Sequence, residues 1–414
     1  MRPELAIVAL FAIAAAVAIA ARRLRIPYTV ALVLAGIGLG AAKVLHAPHL
    51  TRELLYAVFL PGLVFEAAFH LEFRRYWANK LAIHALAVPG VVLAIVLTSL
   101  ALGMAGRLGI ADVGVRPAIL FGALIAATDP IAVVALFKTL GAPKRLSVLV
   151  EGESLLNDGT SIVLFTIILA AFTGGDATIG HGALEFVKVV GLGLALGAAM
   201  GFIGAKVIER VDEPMIAITV TTVVAYGSFF VAEELHCSGV IATVAAGMIC
   251  GNRHLARRDA ADPDADADAT STSSRASGHL AVEAFWEYVA FALNSLVFLL
   301  IGIEVEIASV LAAYKPVVFA FVAVVVVRAA VVFLVSALLR GTRERLPWRW
   351  SVMVTWGGLR GALSMVLVLA LPQDFDQREL LVTVTFGVVL LSIVLQGATA
   401  APMLRALGLA ASRD

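Results

Sequence analysis

The sequence predicts an all-α polytopic membrane protein with about thirteen transmembrane helices. Of its 414 residues, 61% are hydrophobic and 15% are charged, and the mean hydropathy is +0.97. Soluble domains are about 45–50% apolar and about 25% charged. The apolar residues also occur along the whole chain in runs of about twenty, the length of a helix that crosses the hydrocarbon core. The net charge of +1 gives no tendency to bind nucleic acid.

The predicted spans follow one another at short intervals, separated by charged or Gly- and Pro-containing loops. In chain order they lie near residues 4–21, 26–45, 53–71, 81–105, 115–138, 146–172, 182–205, 215–233, 238–251, 283–304, 311–339, 349–371 and 379–404. With the N-terminus outside and the C-terminus in the cytoplasm, about three times as many Lys and Arg residues fall in cytoplasmic loops as in outer loops. This predicts a multi-pass protein of the cell (inner) membrane and supports the number of spans.

A long hydrophilic segment, 252–279, is predicted to be a disordered cytoplasmic linker within a single transmembrane domain that covers 1–414. Its alternating Asp residues invite comparison with a calcium loop. Counted from Asp264, however, the Gly at the sixth position and the Glu at the twelfth are replaced by Ala269 and Arg275. The alternation therefore does not predict a calcium site.

The predicted spans divide into two groups of six joined by one connecting helix. Because this single helix crosses the membrane once, the second group is inverted relative to the first. The fifth span, 115–138, contains Asp129 followed by Pro130, and its counterpart by order, 349–371, contains the run WGGLRG around Arg360. Each thus combines a helix breaker with a buried charge. The pattern predicts two interrupted helices that face each other at mid-membrane, where transporters of this plan place their substrate site.

Four acidic side chains fall in two neighbouring spans where bilayer hydrocarbon is expected: Asp129, Glu151, Glu153 and Asp158. An ionised side chain at the centre of a membrane helix costs about 2.5–3.5 kcal/mol on the insertion scale. Packing alone does not explain four such groups. They predict a pathway for a cation, a proton or both.

One face of the sixth span, about 120° wide at 100° per residue, carries Glu151, Ser154, Asn157, Asp158 and Ser161. Their carboxylate, hydroxyl and amide oxygens are hard ligands that suit an alkali cation better than a soft metal. In the fifth span, Pro130 lacks an amide hydrogen and disfavours helical geometry at the preceding residue. The backbone is therefore expected to open there and to free carbonyl groups for a cation.

The charges near this opening allow two arrangements. Asp129 can compensate a helix N-terminus and Arg360 a helix C-terminus. Alternatively, Arg360 pairs with Glu153, which is the preferred interpretation. A further acid, Glu66 in the third span, either takes part in the site or is a structural partner of Asn157 or of a helix end.

Two further charges, Glu304 and Arg328, fall in the tenth and eleventh spans and are interpreted as a structural ion pair. The pair would allow both side chains to remain charged away from water.

A membrane-embedded enzyme is an alternative from another class of protein. It would need a nucleophile with its base, or paired histidines at metal-ligand spacing, and the sequence has neither.

Five motifs resemble those of one family: ATDPIAVVALF, EGESLLNDGTSIVLF, LPGLVFEAAF, NSLVFLLIG and WGGLRGALSMVLVLALP. They are similar to the NhaP-type sodium/proton antiporters, which belong to the monovalent cation:proton antiporter family that includes the eukaryotic sodium/proton exchangers. The resemblance covers nearly the whole chain in matching order.

The resemblance implies a secondary antiporter that exchanges Na+ or Li+ for protons, with K+ as an alternative ion, and that is not an enzyme and needs no cofactor. A cation channel is a more distant alternative. The resemblance also implies a homodimer in membrane lipid, in which core helices (81–172 and 311–404) move against a panel of dimerisation helices.

Carried over by motif, Asp158 is the carboxylate that alternately binds cation and proton, and the metal ion is Na+ (or Li+ or K+). Ser154 would supply a hydroxyl ligand and Thr128 its main-chain carbonyl, and Glu66 would approach the ion and bond to Asn157. The resemblance further implies that Asp129 acts through water and that Glu153 and Arg360 form the supporting ion pair. An Asn before the exchange Asp is the family signature of electroneutral one-for-one exchange.

Overall fold

A computed structural model describes residues 3–24, 26–43, 51–174, 178–211, 213–260 and 269–411. These residues are almost entirely helical and contain no strand beyond one isolated bridge, which confirms the predicted all-α fold class. The helices are α1 (Pro3–Leu24), α2 (Tyr28–Ala42), α3 (Arg52–Leu54), α4 (Leu60–His70), α5 (Phe73–Trp77), α6 (Lys80–Ala87), α7 (Pro89–Ala105), α8 (Val115–Ile125), α9 (Ile131–Leu140), α10 (Lys144–Phe172), α11 (Ile179–Ile208), α12 (Pro214–Glu234), α13 (Gly239–Ala260), α14 (Ala269–Glu304), α15 (Ile307–Ala312), α16 (Tyr314–Leu338), α17 (Trp348–Trp356), α18 (Ala362–Leu369), α19 (Arg378–Leu391) and α20 (Gly397–Ala406). Two π-helical turns, Leu55–Phe59 and Ser392–Gln396, precede α4 and α20.

Eight helical segments of the described chain are long and apolar enough to cross a membrane. They include Leu5–Leu24, Lys144–Phe172 and Tyr314–Leu338, and shorter apolar helices lie between them. The chain is therefore a multi-pass membrane protein. The number of thirteen spans and the orientation of the termini stay predictions.

The fifth predicted span is interrupted where Pro130 stands, because proline has no amide hydrogen to continue the helix. Here α8 ends at Ile125 and α9 begins at Ile131, and we call residues 126–130 the first break. The twelfth predicted span is interrupted by its glycines, so that α17 ends at Trp356 and α18 begins at Ala362. We call residues 357–361 the second break. Both predicted interruptions are confirmed.

The chain divides into two compact units. Unit 1 comprises Met1–Leu55, Ala78–Asp176 and Asn294–Asp414. Within it α10 packs against α6 and α8, and α16 packs against α7, α17 and α19. Unit 1 contains both segments expected to form the moving core, although their movement stays a prediction.

Unit 2 comprises Tyr56–Trp77 and Ala177–Leu293. Its helices α11 and α13 pack closely against each other, and α13 also packs against α4 and α12. The centre of this unit is aromatic: the rings of Phe65 and Trp286 lie 4.7 Å apart, and the indole of Trp286 donates a hydrogen bond to Thr221 Oγ1 at 3.1 Å.

The segment 252–279, which is expected to be a disordered linker, is described only in part. Helix α13 continues to Ala260 and α14 begins at Ala269, while 261–268 lie outside the described residues. A helix propagates more easily than it nucleates, so each flanking span extends into the polar sequence. The disorder and the cytoplasmic location of this segment stay predictions.

Candidate functional site

The two breaks meet within unit 1. The amide of Asp129 donates a hydrogen bond to the carbonyl of Leu359 at 2.7 Å, so that the two non-helical segments run antiparallel at this point. A side chain at Gly361 would place its Cβ 2.5 Å from the Cβ of Asp129, which no real contact permits. Glycine is therefore required there for the close approach of the two breaks.

Arg360 of the second break binds the carbonyl end of α8. Its Nη1 donates to the carbonyl oxygens of Ile125, Ala126 at 2.8 Å and Ala127 at 3.1 Å. The C-terminal carbonyls of a helix carry partial negative charge and lack partners of their own. Arg360 is 4% exposed, so its charge is compensated by these dipoles rather than by water.

Asp129 compensates the opposite end of the first break. Its Oδ1 accepts a hydrogen bond from the amide of Ile131, the first residue of α9, at 3.0 Å. An acidic side chain at a helix N-terminus is favourable because the first amides point out of the helix without partners. The structure thus has the arrangement in which Asp129 and Arg360 each compensate a helix end.

The buried ion pair of the site differs from the one preferred above. Glu153 binds Arg328 and not Arg360, through Nη1–Oε1 at 2.9 Å and Nη2–Oε2 at 2.7 Å. The expected Glu153–Arg360 pair is therefore wrong. The guanidinium of Arg360 donates to main-chain carbonyls instead, and the two terminal nitrogens of the Arg328 guanidinium each bind one carboxylate oxygen of Glu153. The expected pairing of Arg328 with Glu304 is wrong for the same reason. Asn157 Nδ2 also donates to Glu153 Oε1, at 3.2 Å.

Helix α10 is attached to the first break by two of the predicted residues. The Ser154 hydroxyl donates to the main-chain carbonyl of Thr128. Asn157 Nδ2 lies 3.2 Å from the carbonyl of Ala126 and 3.3 Å from Thr128 Oγ1. Because the Ser154 hydroxyl donates its proton, its oxygen keeps lone pairs beside a carbonyl oxygen, so two hard ligands adjoin each other.

Asp158 follows Ser154 by one helical turn on α10 and is partly exposed. Its Oδ1 is buried and has no hydrogen-bond partner among the described residues. No cationic side chain of the described chain pairs with it, and the acids whose charges act on it are Asp129 and Glu153. Of the predicted site acids in unit 1, Asp158 is the one whose carboxylate is left for a ligand.

Glu66 lies in unit 2, so its expected contacts with the ion and with Asn157 stay predictions. Within that unit its Oε1 is 3.2 Å from Nδ1 of His70, one turn later on α4. The same ring nitrogen is 3.0 Å from the carbonyl of Glu66.

Two buried residues near the second break were missed by the sequence analysis. Ser392 and Gln396 lie four residues apart and bond to the backbone of Arg360 and Trp356. The available signal was weak: a Ser and a Gln at helical spacing in an otherwise apolar run, GVVLLSIVLQ.

A family model for the sodium/hydrogen exchanger transmembrane region matches residues 7–406 of the chain. The chain belongs to the sodium/hydrogen exchanger family. This confirms the resemblance to NhaP-type antiporters, and it identifies the chain as a transporter and not an enzyme.

Relatives of this exchanger-family chain carry antiporter names. The Na(+)/H(+) antiporter ApNhaP of Aphanothece halophytica is 35% identical over 393 residues, which cover 94% of this chain and 71% of that one. The Na(+)/H(+) antiporter NhaP of Pseudomonas aeruginosa is 36% identical over 361 residues, covering 85% and 81%. Among solved structures, the sodium proton antiporter MjNhaP1 of Methanocaldococcus jannaschii has the same fold, with a TM-score of 0.77, 19% identity and coverage of 99% of this chain and 100% of that one.

Proposed function

We propose that the chain exchanges a monovalent cation, sodium or lithium, for protons across the cell membrane, and that Asp158 binds each of them in turn. The observation that carries the proposal is the chemistry around Asp158. Its carboxylate lies one turn from the Ser154 hydroxyl, which adjoins the Thr128 carbonyl. These are oxygen ligands of the kind that an alkali cation prefers.

The balance of charge at the candidate site supports one ion for each proton. At the two breaks and on the facing part of α10, the partly buried Asp129 and Asp158 and the buried Glu153 bring three negative charges, and the buried Arg328 and Arg360 bring two positive ones. Glu153 is neutralised by Arg328, and Asp129 and Arg360 compensate helix ends. The remaining negative charge of Asp158 requires one positive charge, supplied either by a monovalent cation or by a proton.

Competition at one carboxylate turns this balance into exchange. A carboxylate that holds a proton has lost its charge and binds a cation poorly. If the protein changes the side to which it opens only when Asp158 is neutralised, a cation must leave before a proton is carried back. We propose that exchange is therefore electroneutral and one-for-one, with Asp129 acting through water and Glu66 approaching the ion.

The names of the relatives favour sodium as the ion, and the proposal extends to lithium, with potassium as the alternative on the same ligands. The proposal includes a homodimer in membrane lipid, in which the core helices move against the helices that form the dimer contact. Alternating access of this kind moves one group of helices past another around a fixed site.

The proposal predicts cation-dependent loss of an imposed pH gradient. Purified protein in proteoliposomes is expected to dissipate a gradient, acidic inside, when sodium or lithium is added outside, and to do so little with choline. A larger response to potassium than to sodium would select the alternative ion, whereas no response to any alkali cation would contradict the function.

The proposal also predicts that the rate of exchange does not depend on membrane potential. With the membrane potential held at zero by valinomycin and equal potassium on both sides, the rate with sodium should be nearly unchanged. A strong dependence on potential would contradict one-for-one exchange.

A further inference from the structure

The second break exposes backbone groups that no helix satisfies. The carbonyl of Trp356 lies at the end of α17 and the amide of Arg360 lies just before α18, so neither has the partner that an uninterrupted helix would supply. In a membrane, water cannot replace these partners, and non-helical backbone is tolerated only where protein groups or a cavity satisfy it.

Ser392 and Gln396 supply both partners. The amide of Arg360 donates to Ser392 Oγ at 2.9 Å, the same hydroxyl donates to Gln396 Oε1 at 2.5 Å, and Gln396 Nε2 donates to the carbonyl of Trp356 at 3.2 Å. The two side chains are 0% and 2% exposed. We call this pair the polar brace.

The polar brace occupies a π-helical turn, Ser392–Gln396, between α19 and α20. Such turns insert one residue into a helix and are frequent at functional sites. Here the turn carries both side chains of the polar brace, and each reaches a different side of the second break. A second link comes one turn later, where the indole of Trp356 donates to Thr399 Oγ1 at 2.9 Å.

The hydrogen bonds continue from the second break to the proposed ion ligands. Leu359 accepts from the amide of Asp129, and Arg360 binds the carbonyls of residues 125–127, so the backbone on each side of Thr128 is held by the second break. The position of the Thr128 carbonyl therefore depends on the position of the second break.

We propose that Ser392 and Gln396 are positioning residues for ion exchange, which fix the second break and through it the Thr128 carbonyl. The inference rests on the proposed function, because it assigns a task to these residues within that exchange. Neither residue touches the ion. Their loss lowers the affinity for sodium by letting a ligand move.

The test compares Ser392→Ala and Gln396→Leu with a matched control, Thr385→Val. Thr385 lies on α19 with 0% exposure, and its hydroxyl has no hydrogen-bond partner among the described residues. In proteoliposomes, each variant of the polar brace should raise the KM for sodium about tenfold, since each leaves a buried polar group unpaired. The maximal rate should fall much less, and Thr385→Val should behave like the wild type.

Gln396→Glu gives a second readout, in which the charged groups that line the same space as residue 396 are Arg328 and Arg360. A protonated Glu still donates to the Trp356 carbonyl, whereas an ionised one cannot. Exchange by this variant, relative to wild type at the same pH, should therefore recover as the pH falls, and Gln396→Leu should show no such recovery. If Gln396→Leu gives no folded protein, Ser392→Ala, which is the smaller change, decides the question with Gln396→Glu.

The outcomes separate the two proposals. A wild-type protein without exchange overturns the proposed function. A wild type that exchanges, with a KM in Ser392→Ala equal to that of Thr385→Val and a flat relative pH profile in Gln396→Glu, overturns the inference alone.

Discussion

Replacing Asp158 by Asn is expected to abolish exchange and to leave the protein folded. The amide has nearly the same shape as the carboxylate, so packing around α10 is preserved. It carries no negative charge for a cation and takes up no proton in the working range of pH. The structural cost is small because Asp158 Oδ1 has no hydrogen-bond partner among the described residues.

The control for this variant is Asp374→Asn, which makes the same change in the exposed turn between α18 and α19. Both proteins are expected to purify in equal yield and to elute alike in size-exclusion chromatography. The control should exchange sodium for protons at the wild-type rate, and Asp158→Asn should not exceed the rate of empty liposomes. Wild-type exchange by Asp158→Asn would remove Asp158 from the mechanism.

Replacing Arg328 by Met produces the largest loss of stability that we expect from a single substitution. Glu153 is 1% exposed and would be left as a buried carboxylate without its bidentate partner. Breaking a buried ion pair from one side costs about 3–5 kcal/mol in free energy of unfolding. Because Asn157 also bonds to Glu153, the damage should reach the site on α10.

The double variant Glu153→Gln with Arg328→Met tests whether the unpaired charge is the cause. Replacing both partners of a buried pair is often close to neutral, so the double variant should melt at a higher temperature than Arg328→Met alone. Arg75→Met is the surface control, because Arg75 forms an exposed pair with Glu72 outside the predicted spans, and this pair should contribute less than about 1 kcal/mol. A double variant less stable than the single one would contradict the pairing of Glu153 with Arg328.

Much of the site follows from chemistry that is local in the chain. The cost of a charge in hydrocarbon identifies Asp129 and Asp158, and helical periodicity places Ser154 and Asn157 on one face of the same helix. Pro130 predicts the first break because the backbone of proline cannot continue a helix. These predictions needed no knowledge of how distant segments pack.

The pairing of Glu153 and the polar brace depend on segments that are distant in the chain. Glu153 and Arg328 are 175 residues apart, and nothing in the local sequence tells which of two arginines lies opposite Glu153. The polar brace escaped notice for a related reason, since a Ser and a Gln in an apolar helix acquire their partners only when the second break is in place.

The central claim is that one sodium ion and one proton compete for Asp158, and its most direct test is the sodium dependence of exchange at a series of pH values. On the acidic side, the apparent KM for sodium should rise about tenfold for each unit by which the pH falls, as linkage to a single proton requires. The rate at saturating sodium should stay constant over the same range. A KM that is independent of pH, with a maximal rate that falls instead, would show that the two ions do not share a site.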